Sequence, residues 1–152
     1  MSPQNLELIK KTVEDFFQKT TFLVEIGLLS EKDGAIHINL KTEEPQILIG
    51  EGGQTLIEIQ HLLKAILRKK IEEQFFIDLD INDYKKKKTE YLKEMARTTA
   101  DEVSLTKKEK QLASMPAYER RIIHLELADR SDVITESIGE EPERSVLIKP
   151  RP

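Results

Sequence analysis

Apolar residues first recur at helical spacing at Leu6, Ile9, Val13, Phe16 and Phe17, behind a Ser2-Pro3 pair suited to an N-cap and a proline in the first turn. The pattern predicts a helix to about Lys19. It then changes to alternation, with Phe22, Val24, Ile26 and Leu28 on one face of a strand over residues 21–29. Beyond the Lys32-Asp33-Gly34 turn, Ile36, Ile38 and Leu40 alternate with His37 and Asn39 in a second strand. Pro45 to Ile49 predicts a brief helix that runs into Gly50-Glu51-Gly52-Gly53. The next helix turns Leu56, Ile59, Leu63, Ile66 and Leu67 inward, and a third strand follows over residues 75–81. The order α-β-β-α-α-β describes one small α+β unit over residues 1–82.

A second unit is expected over residues 83–152. Asn82 or Asp83 can cap a helix to about Val103, with Tyr84, Tyr91, Leu92, Met95, Thr99 and Val103 on one stripe. A polar linker, a short strand over 110–114 and a helix from Pro116 to about Asp129 come next. A hairpin closes the chain, residues 133–137 against 144–149 around Gly139-Glu140-Glu141-Pro142. At 152 residues, 38% hydrophobic and 34% charged, the chain suits two small cores better than one large one.

With no cysteine, disulfides, thiolate metal sites and cysteine nucleophiles drop out together. No apolar run is long enough to span a bilayer, and the first residues lack the basic and apolar regions of a signal peptide, so a cytoplasmic protein without membrane contact is expected. The net charge of −4 is uneven: residues 1–82 carry 9 Lys/Arg against 14 Asp/Glu, residues 83–152 carry 15 against 14. A local basic patch can therefore bind nucleic acid on an acidic chain.

Three groups of residues could carry such binding. Gly50, Glu51, Gly52 and Gly53, with Gln54 opening the next helix, allow close backbone approach and offer free N–H groups to an anion; a plain helix–helix turn would also need the glycines. On the helix after Ala117, Arg120, Arg121 and His124 fall within an arc of roughly 100°, bordered by Ala117 and Ala128. Two guanidinium groups there suit phosphate, and an imidazole can donate to phosphate or stack on a base. The alternative is that Arg120 and His124 bond internally or pair with Glu136 or Glu143. Lys85, Lys86, Lys87 and Lys88 sit in the first turns of a helix, where the dipole disfavours cations; a polyanion would explain them, and so would a solvated face. His37, His61 and His124 lack ligand-like spacing, no Gly-Lys-Ser/Thr loop is present, and the acidic pairs fall at turns. Neither catalysis nor a metal or cofactor is expected.

The stretch Leu48-Ile49-Gly50-x-x-Gly53-Gln54-Thr55-Leu56-x-x-Ile59-Gln60-x-Leu62 resembles the K homology (KH) domain of the bacterial Jag (SpoIIIJ-associated) family. Pro116-x-Tyr118-Glu119-Arg120-Arg121-Ile122-Ile123-His124 resembles the helix of that family's R-x-x-x-H ("R-three-H") domain, and Ser137 to Arg144 its closing hairpin. The resemblance runs from about residue 5 to 149. It implies a type II-like KH fold followed by an R-three-H-type domain with a short antiparallel sheet, and binding of single-stranded RNA or, more broadly, single-stranded DNA. It carries Gly50 and Gly53 onto the KH loop, and Arg120 and His124 onto the residues that name the second domain; Arg144 joins them as a candidate contact. It also implies a KH-domain protein as partner and a link to cell elongation and division. Glu51 and the acidic first half motivate the rival expectation of a protein–protein module, in which residues 1–82 form a homodimer or pair with such a partner and nucleic acid is incidental. Two departures stand out. The family's loop usually has basic residues where this chain has Glu51 and Gly52, and the family's separate N-terminal Jag module has no counterpart, so its contacts are not expected.

Overall fold

A computed structural model describes residues 1–152. The chain is α+β and divides into two compact units, Met1–Lys85 and Lys86–Pro152.

In the first unit, α1 (Pro3–Gln18) starts at Ser2, whose hydroxyl accepts from the Asn5 N–H. It is followed by β1 (Val24–Lys32), β2 (Ala35–Thr42), α2 (Pro45–Ile49), a single 3-10 turn over Glu51–Gly53, α3 (Gln54–Arg68) and β3 (Phe76–Ile81). The sheet runs β1-β2-β3, with β1 antiparallel and β3 parallel to β2. Its buried face, Ile36, Ile38 and Leu40 beside Ile77, Leu79 and Ile81, packs against Ile9, Val13 and Phe17 of α1 and Leu56, Leu63 and Leu67 of α3.

The first strand departs from the alternation. It begins at Val24, because the Thr20 hydroxyl bonds the Phe17 carbonyl and accepts from the Phe22 N–H, closing a turn after α1. A bulge between Ile26 and Leu28 then flips the register. Leu28, expected on the inner face, is 58% exposed, and Leu29 takes the packed position instead.

The second unit holds most of α4 (Tyr84–Thr106), then β4 (Lys110–Gln111), α5 (Ala117–Leu127), β5 (Val133–Ile138) and β6 (Ser145–Pro150) in a sheet ordered β4-β6-β5. Leu92, Ala96, Ala100 and Val103 of α4 meet Ile123 and Leu127 of α5 and Val133, Val146 and Ile148 of the sheet. The strand expected over 110–114 is cut to two residues. Leu112 and Met115 instead bond the Val146 and Arg144 carbonyls singly, without a regular ladder.

The start of α4 is capped in an unforeseen way. Asn82 and Asp83 both have positive φ, 49° and 57°, and neither caps the helix. The Asp80 carboxylate accepts from the Lys85 N–H instead, while the Asn82 side chain bonds both the N–H and the carbonyl of Thr42. No helix is long and apolar enough to cross a membrane.

Candidate nucleic-acid interface

Pro116 is the N-cap of α5, and the helix turns Ile123 and Leu127 into the core. That phase sets the rest of the helix. Arg120 lies on the inward side, only 7% exposed, and donates to the Met115 carbonyl at 2.6 Å and to Glu141 Oε1 at 2.7 Å. The expected open cationic strip is thus corrected for Arg120. Its partner is Glu141 of the β5–β6 turn, neither Glu136, which pairs with Lys149, nor Glu143.

His124 is half-buried between α5 and β5. Its Nδ1 lies 2.7 Å from Thr135 Oγ1 and its Nε2 2.8 Å from Ser137 Oγ. Burial, then the guanidinium groups of Arg120 and Arg144, hold its pKa below the ordinary 6.5. The ring is therefore neutral at pH 7, donating through one nitrogen and accepting through the other. Arg144, half-exposed, donates to the Gly139 carbonyl at 2.7 Å and braces the turn. Arg121 is exposed on the outer side of α5.

The four lysines part company. Lys85 is bound within the first unit: its ammonium lies 2.6 Å from Asp78 Oδ1 and 3.2 Å from Gln60 Oε1, and His37 Nδ1 lies 3.0 Å from Asp78 Oδ2. Burial raises the Asp78 pKa, but the hydrogen bonds and charges of Lys85 and His37 outweigh it and leave a net lowering. Lys85 is therefore committed to a carboxylate. Lys86 and Lys87 are exposed, whereas Lys88 lies 3.9 Å from Glu119 Oε1 and 5.7 Å from the centre of the Tyr91 ring.

The glycine loop is built by geometry that side chains resist. Gly50 has φ 74°, and a Cβ there would overlap the Thr55 hydroxyl. Gly53, at φ 81°, would bring a Cβ within 3.2 Å of the Tyr84 ring. Gly52 has open space around it, and Glu51 and Gln54 are exposed. The carboxylate of Glu51 thus stands at the loop where an approaching phosphate would be repelled.

Sequence reasoning did not find Thr135, Ser137 or Glu141 as partners of the α5 residues. The first two were legible in principle, since positions two apart on a strand share a face. Glu141 was not, because pairing across a turn depends on tertiary placement.

Residues 90–150 match the R-three-H domain family. The chain is similar to the RNA-binding protein KhpB of Clostridium symbiosum, 36% identical over 137 residues, covering 90% of this chain and 62% of that protein. It is likewise similar to RNA-binding protein KhpB of Bacillus subtilis, at 32% over 122 residues, 79% of this chain and 59% of the relative. The counterpart in Lactiplantibacillus plantarum is 35% identical over 111 residues, 73% of this chain and 34% of that protein. The chain spans less than two thirds of each of these relatives.

Proposed function

We propose that the chain is a member of the Jag (KhpB) family, which its R-three-H match and its similarity to the KhpB proteins support, and that it binds single-stranded RNA without catalysis. The observation that carries the reading is the set of cations left exposed in the second unit, Arg121 on α5 and Lys86 and Lys87 on α4, with Arg144 half-exposed near His124. Arg120 braces the site from within through the Met115 carbonyl and Glu141, and Thr135 and Ser137 orient the imidazole. Arg121, Lys86 and Lys87 supply the mobile cations that meet phosphate, releasing counterions as they do so. Single-stranded DNA shares the phosphate chemistry and binds by the same groups. A link to cell elongation and division is carried from the family as part of the same proposal.

The test is an anisotropy titration of a labelled single-stranded RNA with the full chain across a salt series. Replacing Lys86, Lys87 and Arg121 by glutamine lowers affinity and reduces the salt slope by roughly one for each phosphate no longer neutralised. Unaltered affinity and slope in the folded variant reject the reading.

A second reading assigns the first unit to protein contact. One observation favours it: Glu51 stands exposed in the glycine loop, where its carboxylate repels phosphate. On this reading the first unit pairs with another KH protein or a second copy of itself, and Gly50–Gln54 contribute little to RNA affinity. Charge reversal at Glu51 to lysine then changes self-association in sedimentation without raising RNA affinity. A gain in RNA affinity alone would favour nucleic-acid contact through the loop.

A further inference from the structure

Of three tyrosines, in a chain with no tryptophan, Tyr84 lies against Gly53 in the first unit. The other two belong to the second unit and take no place in its core: Tyr91 of α4 is 59% exposed and Tyr118 of α5 is 47% exposed. They are tied together through one pair of charges. Lys88 reaches toward Glu119, whose carboxylate also accepts from the Tyr118 hydroxyl at 3.3 Å, and the same ammonium sits over the Tyr91 ring. Glu119 is 5% exposed, so this anchor is fixed while the rings face solvent. Beside Tyr91 opens a cavity of about 320 Å³ lined by Tyr91, Glu94, Met95, Thr98 and Thr99, with an apolar thioether next to hydroxyl and carboxylate groups. An exposed ring, a cation over it and an adjoining hollow of mixed polarity together match an unpaired nucleobase with its phosphate.

We infer that Tyr91 and Tyr118, linked through Lys88 and Glu119, form a stacking platform for unpaired bases, distinct in chemistry from the phosphate contacts of Arg121, Lys86 and Lys87. The inference rests on the proposed RNA binding and adds what part of the strand is held there. Base stacking tolerates any sequence, because every base has a π-face; the platform therefore selects unpaired over paired strands more than it selects bases.

The test uses the full chain with two labelled oligomers of equal length, one of uridines and one with abasic sugars on the same phosphates. The parent protein binds the uridine oligomer more tightly than the abasic one, and its tyrosine emission is quenched only by the former. Tyr91→Leu weakens uridine-oligomer binding about tenfold, Tyr91→Phe stays within about twofold, and neither alters abasic binding. Circular dichroism verifies that each variant is folded. Equal affinity of the parent for both oligomers, or an equal weakening on both in Tyr91→Leu, overturns the platform while leaving phosphate binding intact. If the parent binds neither oligomer, the RNA-binding reading fails, and the platform with it.

Discussion

Replacing Arg120 by methionine separates a structural role from a ligand-contacting one. The aliphatic stem is nearly conserved, so packing changes little. What disappears is the bond to the Met115 carbonyl at 2.6 Å and the bond to Glu141 at 2.7 Å. The two differ in weight. Glu141 keeps 58% of its side chain in solvent and regains water when its partner leaves, so its share is small. Met115 is 8% exposed, and its carbonyl, deprived of a charged donor in that setting, costs about 2–3 kcal/mol. For a unit of this size that corresponds to roughly 10–20 °C in melting temperature. Two units can melt separately, so a bulk signal would mix them. Amide hydrogen exchange at Ile123, Val146 and Ile148, buried in the second core, reports on the right one. Protection there falls by the stated free energy, while amides of Ile38 and Leu79 in the first core are unaffected. Unchanged protection accompanied by weakened RNA affinity would refute the reasoning, because Arg120 would then act on the ligand and not on the fold.

The glycine loop makes a graded prediction. Gly50→Ala runs into the Thr55 side chain and lowers the first unit's stability by several kcal/mol, whereas Gly52→Ala, with open space, costs only the left-handed strain of about 1 kcal/mol in urea unfolding. For His124, the folded pKa lies below the unfolded value of 6.5. The unfolded chain therefore takes up the proton first, and the second unit loses stability as pH falls below about 6.5. Thermal midpoints between pH 7.5 and 5.5 should show this decline in the parent and a shallower one in His124→Asn; parallel curves would contradict it. Asp132 pairs with Arg130 at 2.7 Å, and that hydrogen bond holds its carboxyl well below the usual carboxylate range. Its stabilising share is thus present above the ordinary value of 3.8 and fades as acid protonates the folded form, so Asp132→Asn flattens the acid limb of the unfolding curve.

Much of the architecture could be read from periodicity alone. The αββααβ order and the closing hairpin follow from switches between helical and alternating apolar spacing. The misplacements share one cause, local chemistry that hydrophobic pattern does not encode. A threonine turn after Phe17 delays β1, a bulge after Ile26 sends Leu28 outward, and Asp80 reaches forward to cap α4 in place of Asn82 or Asp83. The binding residues were legible as types and less so as roles. The helical wheel placed Arg120, Arg121 and His124 on one arc, but the arc straddles the margin of burial. Arg121 falls in solvent, Arg120 in the core and His124 between two strand hydroxyls. The lysine run divides similarly: Asp78 on β3 captures Lys85, and no local rule forecasts that partner.

Photocrosslinking of a single-stranded RNA to the full chain, followed by identification of the attached peptides, addresses the whole account most directly. Adducts should concentrate on segments 86–98 and 117–125, around the exposed cations and the two tyrosines. Adducts confined to residues 1–82, with none on α5 or the lysine-bearing start of α4, would contradict it.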